Sequence, residues 1–494
     1  MIEKVYAPNL HLFAFHLCKV LRNDGNNRVE NPQKLLDKCY QILENLHFSE
    51  RLNFDQDDYK VSETSQNLLI KIYGKLPNSE IPITGSIYEP KRLYDSSAVA
   101  FNFRRPEQEN GQKTKPIPLI FFRQINRDQI FLPEFVDSSL GQTLLITAFI
   151  PEEFKQSSIE DLENLAQKNL ENLAQKCLEE LIPNNQQRPP LQNQGEVFGS
   201  PIFEYDNLSQ INLDSSDIHY CHVLIWLFRE NQSSEDFIDC YSEFIDLFFY
   251  RNKVITAYQQ SLKQYEKAFK CYGEIEGEIK SLNEFLNQEI TDESFLNEAD
   301  LKFLKQKLKA LSHQDFSYSQ TLRNLKHYRN TIGINSKNYK QTLKTIQRKL
   351  KEKSPINSEQ KLDFFLAFIN EDSQYFQERI KDELNYFVEG STLVDRAIAS
   401  IRGIIEIDQT ENQLGHEERD KENNYDLQIT ILAVGTGMSA GGITGSSSGL
   451  LLNQYATDYP VITFGISLTL SFIVALLSGL FIFGIGKIFK NKKT

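Results

Sequence analysis

A basic opening and an apolar core are both missing from Met1 to Pro8, so no secretory leader is expected. Basic charge is also in deficit. A net charge of -13 disfavours nucleic acid as the main partner, since binding to phosphates relies on a basic surface. The six cysteines, Cys18, Cys39, Cys177, Cys221, Cys240 and Cys271, show no paired spacing, so no disulfide framework is expected and a reducing compartment fits. Signatures of catalysis are lacking as well: no phosphate-cradling glycine loop follows a strand, and neither His-Glu-x-x-His nor Gly-x-Ser-x-Gly occurs. Accordingly no enzymatic reaction, no catalytic residue and no cofactor is expected, a divalent cation being conceivable only as a transported or regulatory ion.

The few clusters of metal-binding side chains do not read as sites. His219, Cys221 and His222 crowd together, but on a strand His222 faces away from the other two, which suits core packing better than zinc. His11 and His16 also fall on opposite faces of an apolar strand, and structural roles are expected for both. Asp55 with Asp57, and Glu406 with Asp408, are acidic pairs that fit either regulatory cations between subunits or solvated surface.

What the chain does have is two long runs free of charge near its end. Val461 to Gly486 contains no ionisable side chain and is long enough to cross a bilayer core of ~30 Å. Lys487, Lys490, Lys492 and Lys493 follow at once and mark the cytoplasmic side. Leu427 to Leu452 is equally uncharged but filled with Gly, Ser and Thr, and its Gly437, Gly441, Gly445 and Gly449 would line one ridge of a helix, where a second backbone can approach closely. Between the runs lies Asn453 to Pro460, without Lys or Arg. The pair is expected to form a transmembrane hairpin (427–452 and 461–486) with its tip, 453–460, outside and a basic cytoplasmic tail over 490–494. The chain would then be an integral protein of a membrane such as the bacterial inner membrane, with both termini cytoplasmic.

The region 1–232 reads as one cytoplasmic α/β domain. Tyr6 to Val20, Asn67 to Tyr73, Ile117 to Phe122, Leu144 to Ile150 and His219 to Phe228 are apolar or alternating, hence strands; Asn31 to Leu46 and Ile159 to Ile182 are helices. From Ser233 the pattern changes. Apolar residues recur at three- and four-residue steps, as in Phe244, Phe248, Ile255, Tyr258 and Leu262, then from Leu301 to Leu350 with strain expected at Gly333, then from Leu362 to Ile405. Region 233–425 is thus a stalk of long, coiled-coil-like helices.

In this layout the chain resembles the CorA family of magnesium and related divalent-cation channels, as a divergent member lacking their Gly-Met-Asn signature. The signature should fall at Leu451, Leu452 and Asn453, and only the asparagine matches. The resemblance implies a homo-oligomer, a pentamer, in the lipid bilayer, with a small molecule or ion as gating ligand. It further implies a pore mouth at Asn453, with Asp458 attracting cations to the entrance. A first membrane helix rich in small polar residues would face the pore, with Thr436, Ser439, Thr444 and Ser446 among its lining hydroxyls, unless these bond back to their own helix. Three functions fit: a cation channel or transporter gated by its cytoplasmic domain, a signal-gated pore effector of a prokaryotic antiviral system, and a non-conducting membrane tether.

Overall fold

The computed structural model describes residues 3–21, 27–29, 33–48, 69–76, 79–150, 160–208, 220–289, 296–353 and 362–416, together with Ile473, Val474 and Leu477. In chain order the elements are β1 (Lys4–Leu17), β2 (Lys19–Leu21), β3 (Asn27–Val29), α1 (Gln33–Asn45), β4 (Leu69–Lys75), β5 (Pro82–Leu93) and β6 (Ser96–Arg104). Next come β7 (Gln108–Glu109), β8 (Gln112–Lys113), β9 (Ile117–Pro118), α2 (Ile120–Ile125), α3 (Pro133–Val136), β10 (Gln142–Phe149), α4 (Glu160–Leu181), β11 (Leu191–Val197), β12 (Ser200–Asp206) and β13 (His222–Phe228). Helices complete the series: α5 (Asn231–Asp239), α6 (Tyr241–Glu289), α7 (Glu298–Lys353), α8 (Asp363–Phe368), a π-helical turn (Ile369–Ser373) and α9 (Gln374–His416). Two compact units emerge, one of residues 1–278 with 312–394, the other of residues 279–311 with 395–494.

In the first unit a mixed sheet runs β11-β12-β13-β10-β1-β6-β5-β4, with β9 also paired to β1. Along that path β10 and β13 are parallel and the other neighbours antiparallel. The central strands are buried on both faces, which is why β13 (HVLIWLF) and β10 (QTLLITAF) read as near-continuous apolar runs. Strand alternation sorts their side chains. Leu10, Leu12 and Ala14 of β1, with Val223, Ile225 and Leu227 of β13, join the core shared with α1 and α4. The intervening residues point the other way, where Phe13 meets Tyr241 and Phe248 of α6, and Trp226 meets Phe237 of α5 and Phe244. The sheet is therefore sandwiched between helices. α6 carries buried Phe244, Phe248, Ile255 and Tyr258 at helical spacing, which keeps one face on the sheet.

Further along the first unit, Tyr318 of α7 donates its hydroxyl to the Phe387 carbonyl of α9 at 2.7 Å. The strain expected at Gly333 does not arise: α7 is helical throughout, and Gly333 lets the Gln377 side chain of α9 approach to 3.0 Å of where a Cβ would sit. In the second unit Leu282, Leu304, Leu311, Ala397, Ile401 and Ile405 make a separate helical core, with the Phe285 and Phe303 rings 4.6 Å apart.

Two expectations need correction. Ile117 to Phe122 is strand only at β9; Phe121, Phe122 and Ile125 are instead buried on the short helix α2, since a short apolar run does not distinguish a buried strand from a buried helix turn. More consequentially, the transmembrane hairpin is not supported: among the described residues no helix is long and apolar enough to cross a membrane. The long helices are amphipathic, with charged residues recurring throughout α6, α7 and α9, and the hairpin rested on freedom from charge, which no described helix realises. The assignment as an integral membrane protein, and the membrane and channel character attached to it, fall with the hairpin. The runs 427–452 and 461–486 lie outside the described residues apart from Ile473, Val474 and Leu477.

Candidate functional site

A chain of buried polar groups occupies the α6 side of the sheet, where apolar packing would be the default. On β12, Phe203 and Tyr205 point into the α4-side core, so alternation turns Glu204 and Asp206 to the opposite face. On α6, Arg251 stands where the spacing of Phe244, Phe248 and Ile255 calls for an apolar residue, and its guanidinium is therefore carried inward. Arg251 is only 4% exposed. Its Nη2 lies 2.7 Å from Glu204 Oε1 and 2.9 Å from Asp206 Oδ2, and 3.3 Å from the Tyr220 hydroxyl. The pairing is what makes burial of three charges tolerable.

The network continues under the sheet. His222 Nε2 is 3.1 Å from Glu204 Oε1, and His222 Nδ1 is 2.9 Å from the Thr143 hydroxyl. Asn252 Nδ2 donates to Thr143 Oγ1 at 3.1 Å and to the Phe248 carbonyl at 2.9 Å. A consistent proton order follows: Asn252 donates to Thr143, Thr143 to His222 Nδ1, and His222 Nε2–H to the Glu204 carboxylate. Burial, reinforced by Arg251, pushes His222 below its usual range and keeps it neutral. Burial alone would raise Glu204, but Arg251 and His222 outweigh it and hold the carboxyl at about 2.

Thr143, His222 and Glu204 have the connectivity of a nucleophile, a base and an orienting acid. Chemistry there is blocked by burial, because Thr143 and His222 are 0% and 1% exposed and neither borders a cavity found beside them. Burial also pushes the thiols of Cys39, Cys177, Cys221 and Cys240 well above their usual range, which leaves them inert.

Glu204, Asp206 and Arg251 do border a cavity of about 460 Å³ within the first unit. Three chain segments enclose it: β11 and β12 with Gln192 and Asn193, α6 with Tyr258, and the run α8–π turn–α9 with Phe368, Glu371, Asp372, Tyr375, Phe376 and Arg379. Gly195 of β11 makes this enclosure possible, since a Cβ there would stand 3.1 Å from the Phe364 ring of α8. Arg379 is already engaged, donating Nε to Glu383 at 2.9 Å and Nη1 to the Tyr258 hydroxyl at 2.9 Å. Asp372 has no described hydrogen-bond or ion-pair partner. Burial raises its carboxyl to about 6, with Glu204, Asp206 and Glu371 adding to the rise against the opposing pull of Arg251. The widened π turn presents Asp372 here, in a geometry that recurs at functional sites.

Of the network's residues only His222 was singled out from sequence, in a cluster read as core packing; the charged residues of the cavity were not. Their signals were an Arg inside the apolar period of α6 and the alternation Ile202, Glu204, Asp206 within an otherwise apolar strand. The residues that were singled out, Asn453, Asp458, Thr436, Ser439, Thr444 and Ser446, with Gly437, Gly441, Gly445 and Gly449, lie outside the described residues, as do Asp55, Asp57 and His219. His11 and His16 are buried in structural roles: His11 bonds to the Tyr241 hydroxyl at 3.1 Å, and the Ser139 amide donates to His16 Nδ1 at 3.3 Å. Asp408 is buried and accepts from the Leu296 amide at 3.3 Å. Among the described residues no group of three or more His, Cys, Asp or Glu is arranged to hold a metal ion. No protein-family model, curated protein or solved structure matches the chain.

Proposed function

We propose that this chain is a non-enzymatic ligand-binding regulatory protein whose sheet domain receives a small polar molecule. The carrying observation is the cavity enclosed by β12, α6 and the π turn, which sets an unpartnered carboxylate, Asp372, opposite a fixed ion-paired wall of Arg251, Glu204 and Asp206. Its volume of about 460 Å³ suits a metabolite-sized ligand. A binding role is favoured over catalysis because, in the triad-like arrangement, Thr143 and His222 are buried and do not line the cavity that Glu204 borders. Occupancy would be read by the π turn and the start of α9, the only part of the wall in which a helix is locally widened.

A gating ligand acting on the sheet domain is thus retained from the expected scheme. Ion conduction is not, because it needs a membrane-spanning element that no described helix supplies. Self-association also belongs to the proposal: within the first unit α9 leaves Tyr386 and Leu393 exposed one heptad apart, the spacing of a helix seam. The test is a thermal-shift screen of neutral, anionic and cationic metabolites, followed by hydrogen exchange. A ligand that raises Tm and slows exchange in 365–379 supports the reading. A screen without any stabilising compound, or protection confined to other segments, overturns it.

A further inference from the structure

The chemistry of the cavity wall narrows the class of ligand, given that the cavity is a binding site at all. Four carboxylates, Glu204, Asp206, Glu371 and Asp372, line it against two guanidiniums, Arg251 and Arg379. Both guanidiniums are committed, one to Glu204 and Asp206, the other to Glu383 and the Tyr258 hydroxyl. An entering anion would therefore meet an excess of carboxylates, with both lining guanidiniums already paired to acids. A bare metal ion is disfavoured too, since the described carboxylates are not arranged as a ligand set. Four aromatic side chains, Tyr258, Phe368, Tyr375 and Phe376, complete the wall, and aromatic faces attract organic cations.

A second feature is independent of the acidic wall. Arg251 Nε is buried and has no hydrogen-bond partner, although Nη2 of that guanidinium is paired. A buried N–H left unmade costs free energy that an acceptor on the ligand would recover.

We infer that the cavity takes a small organic cation, an amine or guanidinium, whose charged group sits against Asp372 and Glu371 and whose neutral carbonyl or hydroxyl oxygen accepts from the edge of the Arg251 guanidinium that Glu204 and Asp206 leave unpaired. The ligand then supplies positive charge to a wall in which four carboxylates face two guanidiniums. The groups facing Asp372 are Glu204 and Asp206 from β12, Arg251 and Tyr258 from α6, Tyr339 from α7, Glu371 beside it, and Tyr375 and Arg379 from α9. Burial poises Asp372 to protonate in mildly acid solution, so binding weakens as pH falls through about 6.

The experiment uses the full chain and titration calorimetry with three probes: argininamide, which carries cation and carbonyl; agmatine, which lacks the carbonyl; and glutarate, an anion of similar length. Argininamide is expected to bind with Kd below about 1 mM at about pH 7.5, and agmatine several-fold more weakly. Affinity for argininamide should drop about tenfold near pH 5, and about tenfold in Asp372→Asn. Glu371→Gln, at an exposed position, gives a smaller loss and serves if Asp372→Asn fails to fold. Preference for glutarate would overturn the cationic class while leaving a binding module in place. No binding of any probe by the folded wild type overturns the inference, and the broad metabolite screen then decides separately whether the cavity binds anything.

Discussion

The Cζ atom of Arg251 lies 4.1 Å from the centroid of the Phe368 ring, so the buried arginine of α6 is capped by the last residue of α8. The contact joins the ion-paired wall to the helix that leads into the π turn. Replacing Phe368 by Leu keeps an apolar side chain of similar reach and removes the ring face. A desolvated cation–π contact contributes roughly 1–2 kcal/mol, so Phe368→Leu should lower the urea midpoint by a corresponding amount. An unchanged midpoint would mean that the ring only fills space.

Arg251 itself should be far more sensitive. Arg251→Met preserves the stem and leaves Glu204 and Asp206 buried without their cation, which costs about 3–5 kcal/mol when one partner of a buried pair is removed. Adding Glu204→Gln and Asp206→Asn to that variant removes the stranded charges and should restore more than half of the loss. Equilibrium unfolding of the single and triple variants checks this. If the triple variant is no more stable than the single one, stranded charge is not the cause.

The layered sheet domain and the long helices were legible because their periods are strong: β13 is apolar throughout, and α6 and α9 repeat apolar residues every three or four positions. β5, β6, β11 and β12 were not read as strands. β5 begins at Pro82 and ends among Glu89, Lys91 and Arg92, while β11 (LQNQGEV) is mostly polar, so neither shows the apolar alternation that marks a strand. The cavity was illegible for another reason. Glu204, Arg251 and Asp372 are far apart in sequence and become neighbours only once β12 is placed beside β13 and α8 is laid on β11. The expected hairpin rested on freedom from charge alone, and among the described residues no helix is long and apolar enough to cross a membrane.

Gly141 tests how tightly the polar chain is fitted. Its φ is +87°, which L side chains rarely adopt, and a Cβ there would stand 2.7 Å from Asn252 Oδ1. Gly141→Ala thus combines backbone strain with a clash against the residue that orients Thr143. Destabilisation of about 1–3 kcal/mol is expected. Pairing it with Asn252→Ala, which removes the clash and leaves the strain, should give a cost smaller than the sum of the two single changes. Strict additivity in thermal or urea unfolding would show that the two residues do not meet.

Asp372 should make the fold less stable as pH rises. Its carboxyl rises from 3.8 to about 6 on folding, so the folded chain holds a proton that the unfolded chain has released between those values. Stability therefore falls as pH climbs from about 4 to 6, and the penalty is complete above 6. Glu204 has the reverse linkage: held at about 2 instead of 4.5, it contributes stability above 4.5 that is lost as pH falls toward 2. Asp372→Asn removes the penalty. Allowing for partial exposure, it should stabilise the ligand-free protein by about 1–2 kcal/mol at about pH 7.5, with the gain falling to a few tenths near pH 4. A residue that weakens its own fold at neutral pH is retained at a cost, which is the pattern of a group kept for binding. Urea unfolding of wild type and Asp372→Asn across this range measures the difference. If the variant is less stable than wild type at about pH 7.5, Asp372 already has a stabilising partner, and the unfilled charge on which the ligand reading depends is not there.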